Sequence, residues 1–126
     1  MGDLTKNISR WEMRCQCGCD FVAADIELIP VLQDVCDHFE GEKNLPKVTL
    51  TITSGNRCVI HNKKVGGSEQ SKHIKGIAAD FRIEEVHANK VADYLEKKYP
   101  NKYGIGRYNG RTHLDVRPVK ARWDSR

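Results

Sequence analysis

No run of apolar residues in this sequence approaches the roughly 20 that a membrane-spanning helix needs, so no span is expected. The opening residues, Met1-Gly2-Asp3-Leu4-Thr5-Lys6, lack the charged-then-apolar order of a secretory signal peptide. The expectation is therefore synthesis in the cytoplasm, with any outside target reached by another route. Also missing is a dense block of basic residues: 21 Lys and Arg are spread along the chain, and the net charge of +4 and pI near 8.8 are mild. Such a surface favours an anionic polymer, whether nucleic acid or a bacterial wall, and equally describes a solvated face with no specific meaning. With no reading helix and no aromatic platform, nucleic-acid binding is not expected. The five cysteines are an odd number, and without a leader a disulfide framework is not expected; reduced thiols or metal ligands are.

What remains is an ordinary globular composition, 39% hydrophobic and 30% charged over 126 residues. That is enough for one domain spanning 1–126, with a core that needs no covalent staples. Residues 1–24 read as an irregular segment carrying Cys15-Gln16-Cys17-Gly18-Cys19. The spacing is atypical for a zinc knuckle; it offers a small metal site if Cys36 or Cys58 comes near, or a reduced, partly buried loop. From Asp25 to about Glu40, Leu28, Leu32, Val35 and Phe39 recur at helical spacing, with Asp25 as N-cap and Gly41 as terminator. Pro30 is awkward unless the helix begins only just before it.

Lys47–Thr53 alternates as a half-buried strand, and Ser54-Gly55-Asn56-Arg57-Cys58 turns away from it. A short helical or irregular stretch passes His61-Asn62 and ends at Gly66-Gly67. In Ile77–Ile83, Ile77, Ala79, Phe81 and Ile83 share one face, with Ala78, Asp80 and Arg82 on the other. Glu84–Lys98 reads as a second amphipathic helix, and Tyr103–Tyr108 as a glycine-punctuated strand. Asn109-Gly110 is a hairpin signal. In the return strand Arg111–Arg117, Thr112, Leu114 and Val116 oppose His113, Asp115 and Arg117, and Trp123 packs the tail back.

Two strands thus carry ligand-type residues opposite their apolar faces, and His73 stands just upstream of the first. If those faces coincide, His73, Asp80 and His113 supply three ligands to an ion such as zinc, leaving an open fourth position. The competing reading is three satisfied polar residues, which is how His38 and His61 are read; His87 is expected to be exposed.

Ser71-x-His73-x-x-Gly76-x-Ala78-x-Asp80 resembles the first half of the signature of the M15 family of zinc D-Ala-D-Ala carboxypeptidases and peptidoglycan peptidases. His113-Leu114-Asp115-Val116-Arg117 resembles the second half. Thr53–Cys58, His61-Asn62, Val65-Gly66-Gly67, the cysteine-rich start and Ala121-Arg122-Trp123 are similar to small family members. The resemblance implies an α+β fold shared with the hedgehog signalling domain: an antiparallel sheet with two main helices on one face and a zinc cleft on the other. It implies Zn2+ on His73, Asp80 and His113, with Arg57 and Ser71 holding the substrate. The implied activity is hydrolysis of an amide bond in the stem peptide of peptidoglycan, by a monomeric wall-lytic enzyme of a kind that phages also carry. The alternative is a catalytically silent zinc-bearing module of the same fold. One departure stands out: many members place an acidic general base three residues before the second zinc histidine, where this chain has Gly110. Asp115 is then either the base or a group that orients a ligand imidazole, with Glu69 and Tyr108 as further candidates.

Overall fold

The computed structural model describes residues 4–17, 19, 25–57, 59–67, 71–73 and 76–126. Asp25 starts the first long helix, α1 (Leu28–Lys43), by accepting the backbone N–H groups of Glu27 and Leu28 on its Oδ1 at 2.9 and 2.8 Å. The N-cap position is nevertheless Glu27, whose side chain makes no capping bond, and not Asp25 as expected: the regular helix begins at Leu28. Pro30 therefore falls in the first turn, where its missing N–H breaks no bond. Gly41 does not end the helix. Asn44 does, in the left-handed region at φ 55°, with its N–H turned back to the carbonyls of Glu40 and Gly41. Leu28, Leu32, Val35 and Phe39 are buried as the periodicity requires.

Five strands form one sheet: β1 (Leu50–Ser54), β2 (Ala78–Ile83), β3 (Gly104–Tyr108), β4 (Arg111–Asp115) and β5 (Ala121–Asp124), in the order β1-β2-β4-β3-β5. A short helix, α2 (Val59–Lys64), lies between β1 and β2, and α3 (Ala88–Lys98) between β2 and β3. The turn at Asn109-Gly110 closes the β3–β4 hairpin with Tyr108 opposite Arg111. The helix expected at Glu84 starts four residues later. Glu84–His87 instead forms a turn, and exposed His87 caps α3 by accepting the Asn89 N–H on Nδ1 at 3.1 Å.

The sheet is not wholly antiparallel, as the sequence led us to expect, because β5 runs parallel to β3. No period-two pattern marks β5, whose residues are half-buried or exposed. It is held by Ala121 N–H to Tyr103 O, Ser125 N–H to Arg107 O, and the Arg122 guanidinium on the carbonyls of Tyr99 and Tyr103.

Phe81, Ile83, Leu114, Ile105 and Leu50 form one face of the sheet and share a core with the apolar sides of α1 and α3. The N-terminal segment is more ordered than its composition suggests. It contains a 3-10 turn over Arg10–Met13 and contributes Ile8 and Met13 to the core. Glu40 of α1 ties it down: its carboxylate accepts from Lys6 Nζ at 2.8 Å, Asn7 Nδ2 at 2.9 Å and the Val48 N–H at 2.9 Å. Among the described residues, no helix is long and apolar enough to cross a membrane.

Burial pushes the Glu40 carboxyl up, but the Lys6 ammonium, the Asn7 amide and the Val48 N–H outweigh it and hold it below its ordinary 4.5. A depressed carboxylate stabilises the fold above its unfolded pKa, and that stability is lost as pH falls through the folded value. Glu40→Gln is expected to cost about 1–3 kcal/mol at pH 7 and to flatten the loss of stability below pH 4.5. Urea midpoints measured across that range check both effects; an unchanged acid slope in the variant would sink the assignment.

Candidate metal centre

The face of the sheet opposite the core is built by register. Asp80 on β2 lies directly opposite His113 on β4, and His113 in turn opposite Gly106 on β3. Because side chains alternate along a strand, the pairing that sends Phe81 and Leu114 inward sends Asp80 and His113 to the other side together. His73 reaches the same point from the turn before β2. Gly76, at φ 74°, allows that turn, and its N–H bonds back to the His73 carbonyl at 3.2 Å. The same carbonyl oxygen also accepts the N–H of Arg57, three residues beyond the end of β1, at 3.1 Å.

The two imidazoles are oriented by what lies behind them. His73 Nδ1 is 2.6 Å from the Gly55 carbonyl oxygen. A carbonyl only accepts, so Nδ1 carries the hydrogen and Nε2 keeps the lone pair, 3.5 Å from Asp80 Oδ2. His113 directs Nδ1 at Asp80 Oδ1, 2.9 Å away, and Nε2 at Asp115 Oδ2, 2.8 Å away. All three residues are buried, and their ligand atoms lie within 4.8 Å of one another. Three groups able to donate an electron pair converge in a buried space, an arrangement that could hold a cation. The donor set of two imidazoles and a carboxylate suits zinc. Burial pushes the Asp80 carboxyl up, but the hydrogen bonds and charges of His113 and His73 hold it well below the usual carboxylate range.

Asp115 lies behind His113 rather than in the cleft. It is fully buried, and its oxygens are filled: Oδ1 accepts from Arg117 Nε at 2.6 Å and from the Arg117 N–H at 3.2 Å, and Oδ2 from Arg117 Nη2 at 2.7 Å as well as from His113. Burial opposes its ionisation, yet His113 and Arg117 hold it well below the usual range. A carboxylate so placed aligns an imidazole and accepts a proton poorly.

A cavity of about 460 Å3 opens over the three ligands, and Arg57, Ser71, Lys72, Tyr108, Arg111, Arg117 and Trp123 line its remaining walls. A hollow of about 300 Å3 shares Arg57, Asp80 and Arg111 with it and extends to Gln16 and Val65. Arg57 is positioned by Ser54 Oγ on its Nε and Asn62 Oδ1 on its Nη1, both at 3.2 Å, with Nη2 3.8 Å from Asp80 Oδ2. The Ser71 Oγ accepts the His73 N–H at 3.2 Å.

The structure thus brings Arg57, Ser71, His73, Asp80 and His113 to one cavity and sets Asp115 one layer behind. Tyr108 stands in the wall, where its hydroxyl accepts the Trp123 Nε1–H at 2.8 Å. Gly110 sits in the hairpin turn and lines a different hollow, with Thr51 and Arg82. Glu69 lies outside the described residues. Trp123, Lys72, Arg111 and Arg117 were not read as cavity walls from the sequence. The signal for Trp123 was the pair Gly104 and Gly106, on the cleft-facing side of β3: a Cβ at Gly106 would come within 2.4 Å of the Trp123 ring. Trp123 uses that space to lie 4.9 Å, centroid to centroid, from the His113 ring.

With this geometry in view, comparison with known proteins is decisive at the family level. The family model for Peptidase M15 matches residues 5–115. The chain belongs to the peptidase M15 family. No curated protein and no solved structure was found to match it. This M15 peptidase is therefore a hydrolase of a family of zinc metallopeptidases, and the matched span includes every residue of the convergent His73–Asp80–His113 group.

Because Gly106 has no room for a side chain, Gly106→Val is expected to expel Trp123 from its seat beside His113 and to destabilise the fold by about 1–3 kcal/mol. A red-shifted tryptophan emission with a lowered Tm checks it; wild-type emission and Tm in the variant would contradict the close packing.

Proposed function

We propose that this M15 peptidase is a zinc enzyme that hydrolyses an amide bond in the peptide part of bacterial peptidoglycan. The observation that carries the reading is the convergence of His73 Nε2, Asp80 and His113 Nδ1 beneath a cavity whose other walls can hold a peptide. These three residues would hold the ion. When bound, zinc supplies Lewis-acid polarisation of a carbonyl and a water acidified to near neutral pH.

The chain's own residues do the rest. Arg57, fixed at Nε and Nη1, presents the remaining edge of its guanidinium to a substrate carboxylate or carbonyl. Ser71 accepts the His73 N–H, which leaves its own O–H to donate to the peptide. Asp115, locked by Arg117, keeps the His113 imidazole in the tautomer that presents Nδ1 to the ion. We therefore assign Asp115 to positioning, the second of the two roles the sequence left open. Among the described residues of the cavity wall, Asp80 is the only carboxylate and belongs to the ligand set; the Tyr108 phenol is the neighbouring group able to exchange a proton. The basic walls, Lys72 and Arg111 included, favour the carboxylate-rich stem peptide and the anionic wall.

A second reading, a zinc-bearing module without catalysis, is favoured by the same finding about Asp115 and by Gly110 at the position where many members carry an acid. Mass spectrometry of chemically defined peptidoglycan after digestion separates the two. New amino termini or free D-alanine, absent with His113→Ala, support the enzyme; intact muropeptides from zinc-loaded protein support the silent module.

Asp115→Asn tests the positioning role. It is expected to weaken zinc affinity about 10- to 100-fold while activity returns at saturating zinc. A variant that binds zinc with wild-type affinity yet has no activity would make Asp115 the base instead.

A further inference from the structure

We infer that Cys15, Cys17 and Cys19 form a second metal site, for a thiophilic divalent ion of the zinc type, that braces one wall of the cleft. The three sulfurs lie within 4.8 Å of one another, and Cys15 Sγ is 3.4 Å from Cys17 Sγ. Tetrahedral zinc with Zn–S bonds of about 2.3 Å separates its sulfurs by about 3.8 Å, so the cluster has the scale such an ion requires. The Cys15–Cys17 separation is well beyond a disulfide bond of about 2.05 Å.

Burial separates this cluster from a core thiol. Cys15 is buried, whereas Cys17 and Cys19 are exposed, which gives an ion a route of entry. Cys36 shows the alternative. It sits inside α1 within the core, where burial and the neighbouring carboxylates of Glu40 and Asp37 push its thiol up to about 12, and it behaves as an apolar side chain. It is not among the three converging sulfurs. Cys58, the other thiol the sequence offered, lies outside the described residues. Three thiolates fill three of four tetrahedral positions and leave one for a further donor.

The location gives the site a task. Met13 O accepts both the Asn56 N–H at 2.9 Å and the Asn56 Nδ2 at 2.6 Å, and Gln16 Nε2 donates to Thr53 O at 2.8 Å. Gly55 packs so closely on the Met13 backbone that a Cβ there would meet Met13 O at 2.9 Å. The segment fastened in this way, residues 53–57, carries the Gly55 carbonyl that orients His73 and the Arg57 that faces the substrate cavity. An ion on the thiols would hold residues 13–17 in the shape that supports that wall.

The test uses the full chain, reduced and loaded with Co2+ as the probe. Thiolate-to-cobalt charge-transfer absorption in the near ultraviolet is expected, because the His73–Asp80–His113 group contains no sulfur. The absorption should vanish in Cys15→Ser/Cys17→Ser/Cys19→Ser and persist in His73→Ala/His113→Ala. Zinc content should fall from about two equivalents to about one in the triple serine variant. Absence of the charge-transfer band in wild-type protein overturns the site without recourse to any variant. So does a Cys15–Cys17 disulfide in protein purified under reducing conditions. Since the band does not depend on His113, its outcome is independent of whether the cleft hydrolyses peptidoglycan.

Discussion

The pairing of Asp80 with His113 across β2 and β4 is the constraint on which the centre depends. It places a carboxylate and an imidazole nitrogen 2.9 Å apart in a buried position, with a second imidazole 3.5 Å from the same carboxylate. In water such groups would be solvated separately; here the core holds them together. Phe81 and Leu114, one residue along each strand, are completely buried. A slip of one residue in the pairing would expose both and turn the ligands into the core. The hydrophobic core therefore enforces a polar arrangement that is unfavourable unless a cation or proton sits among the three donors.

Orientation comes from a second layer of contacts. His73 is turned by a backbone carbonyl, which no side-chain substitution removes, while His113 is turned by Asp115 and, through it, Arg117. The two supports differ in kind. Gly55 O is a neutral acceptor, whereas the Asp115 carboxylate raises the basicity of His113 and strengthens it as a ligand. Gly104 belongs to the same layer: a Cβ there would meet the Asp115 carboxylate at 2.3 Å, so the absence of a side chain is what admits the Asp115–Arg117 pair beneath the cleft.

Much of this was legible in the sequence because it follows from periods of two and 3.6. The apolar alternation of Phe81 and Leu114 placed Asp80 and His113 on the opposite face, and the stripe of α1 emerged despite Pro30. Features that depend on non-local backbone contacts were not legible. β5 has no alternation to announce it and pairs in parallel with a strand more than a dozen residues earlier, so its existence rests on main-chain bonds and Arg122. The start of α3 was misplaced because the apolar pattern continues through Val86, while the backbone at Glu85 is left-handed at φ 65° and the cap is a histidine. Asp115 was assigned to the correct face but not to the correct depth, since a period of two cannot say whether a side chain ends in a cavity or under a neighbour.

That difference of depth bears on the chemistry. A base must meet the proton it accepts, and the Asp115 oxygens already hold four hydrogen bonds, three from Arg117 and one from His113. Freeing an oxygen would strip a part-buried guanidinium contact or the support of His113 opposite Asp80, loosening the ligand set in the act of using it. Catalysis in the proposed enzyme is thus expected to draw its proton acceptor from the cavity wall, which the Tyr108 phenol lines together with Arg57, Lys72 and Arg111. The same basic walls that draw in an anionic peptide would then also border the group that moves the proton.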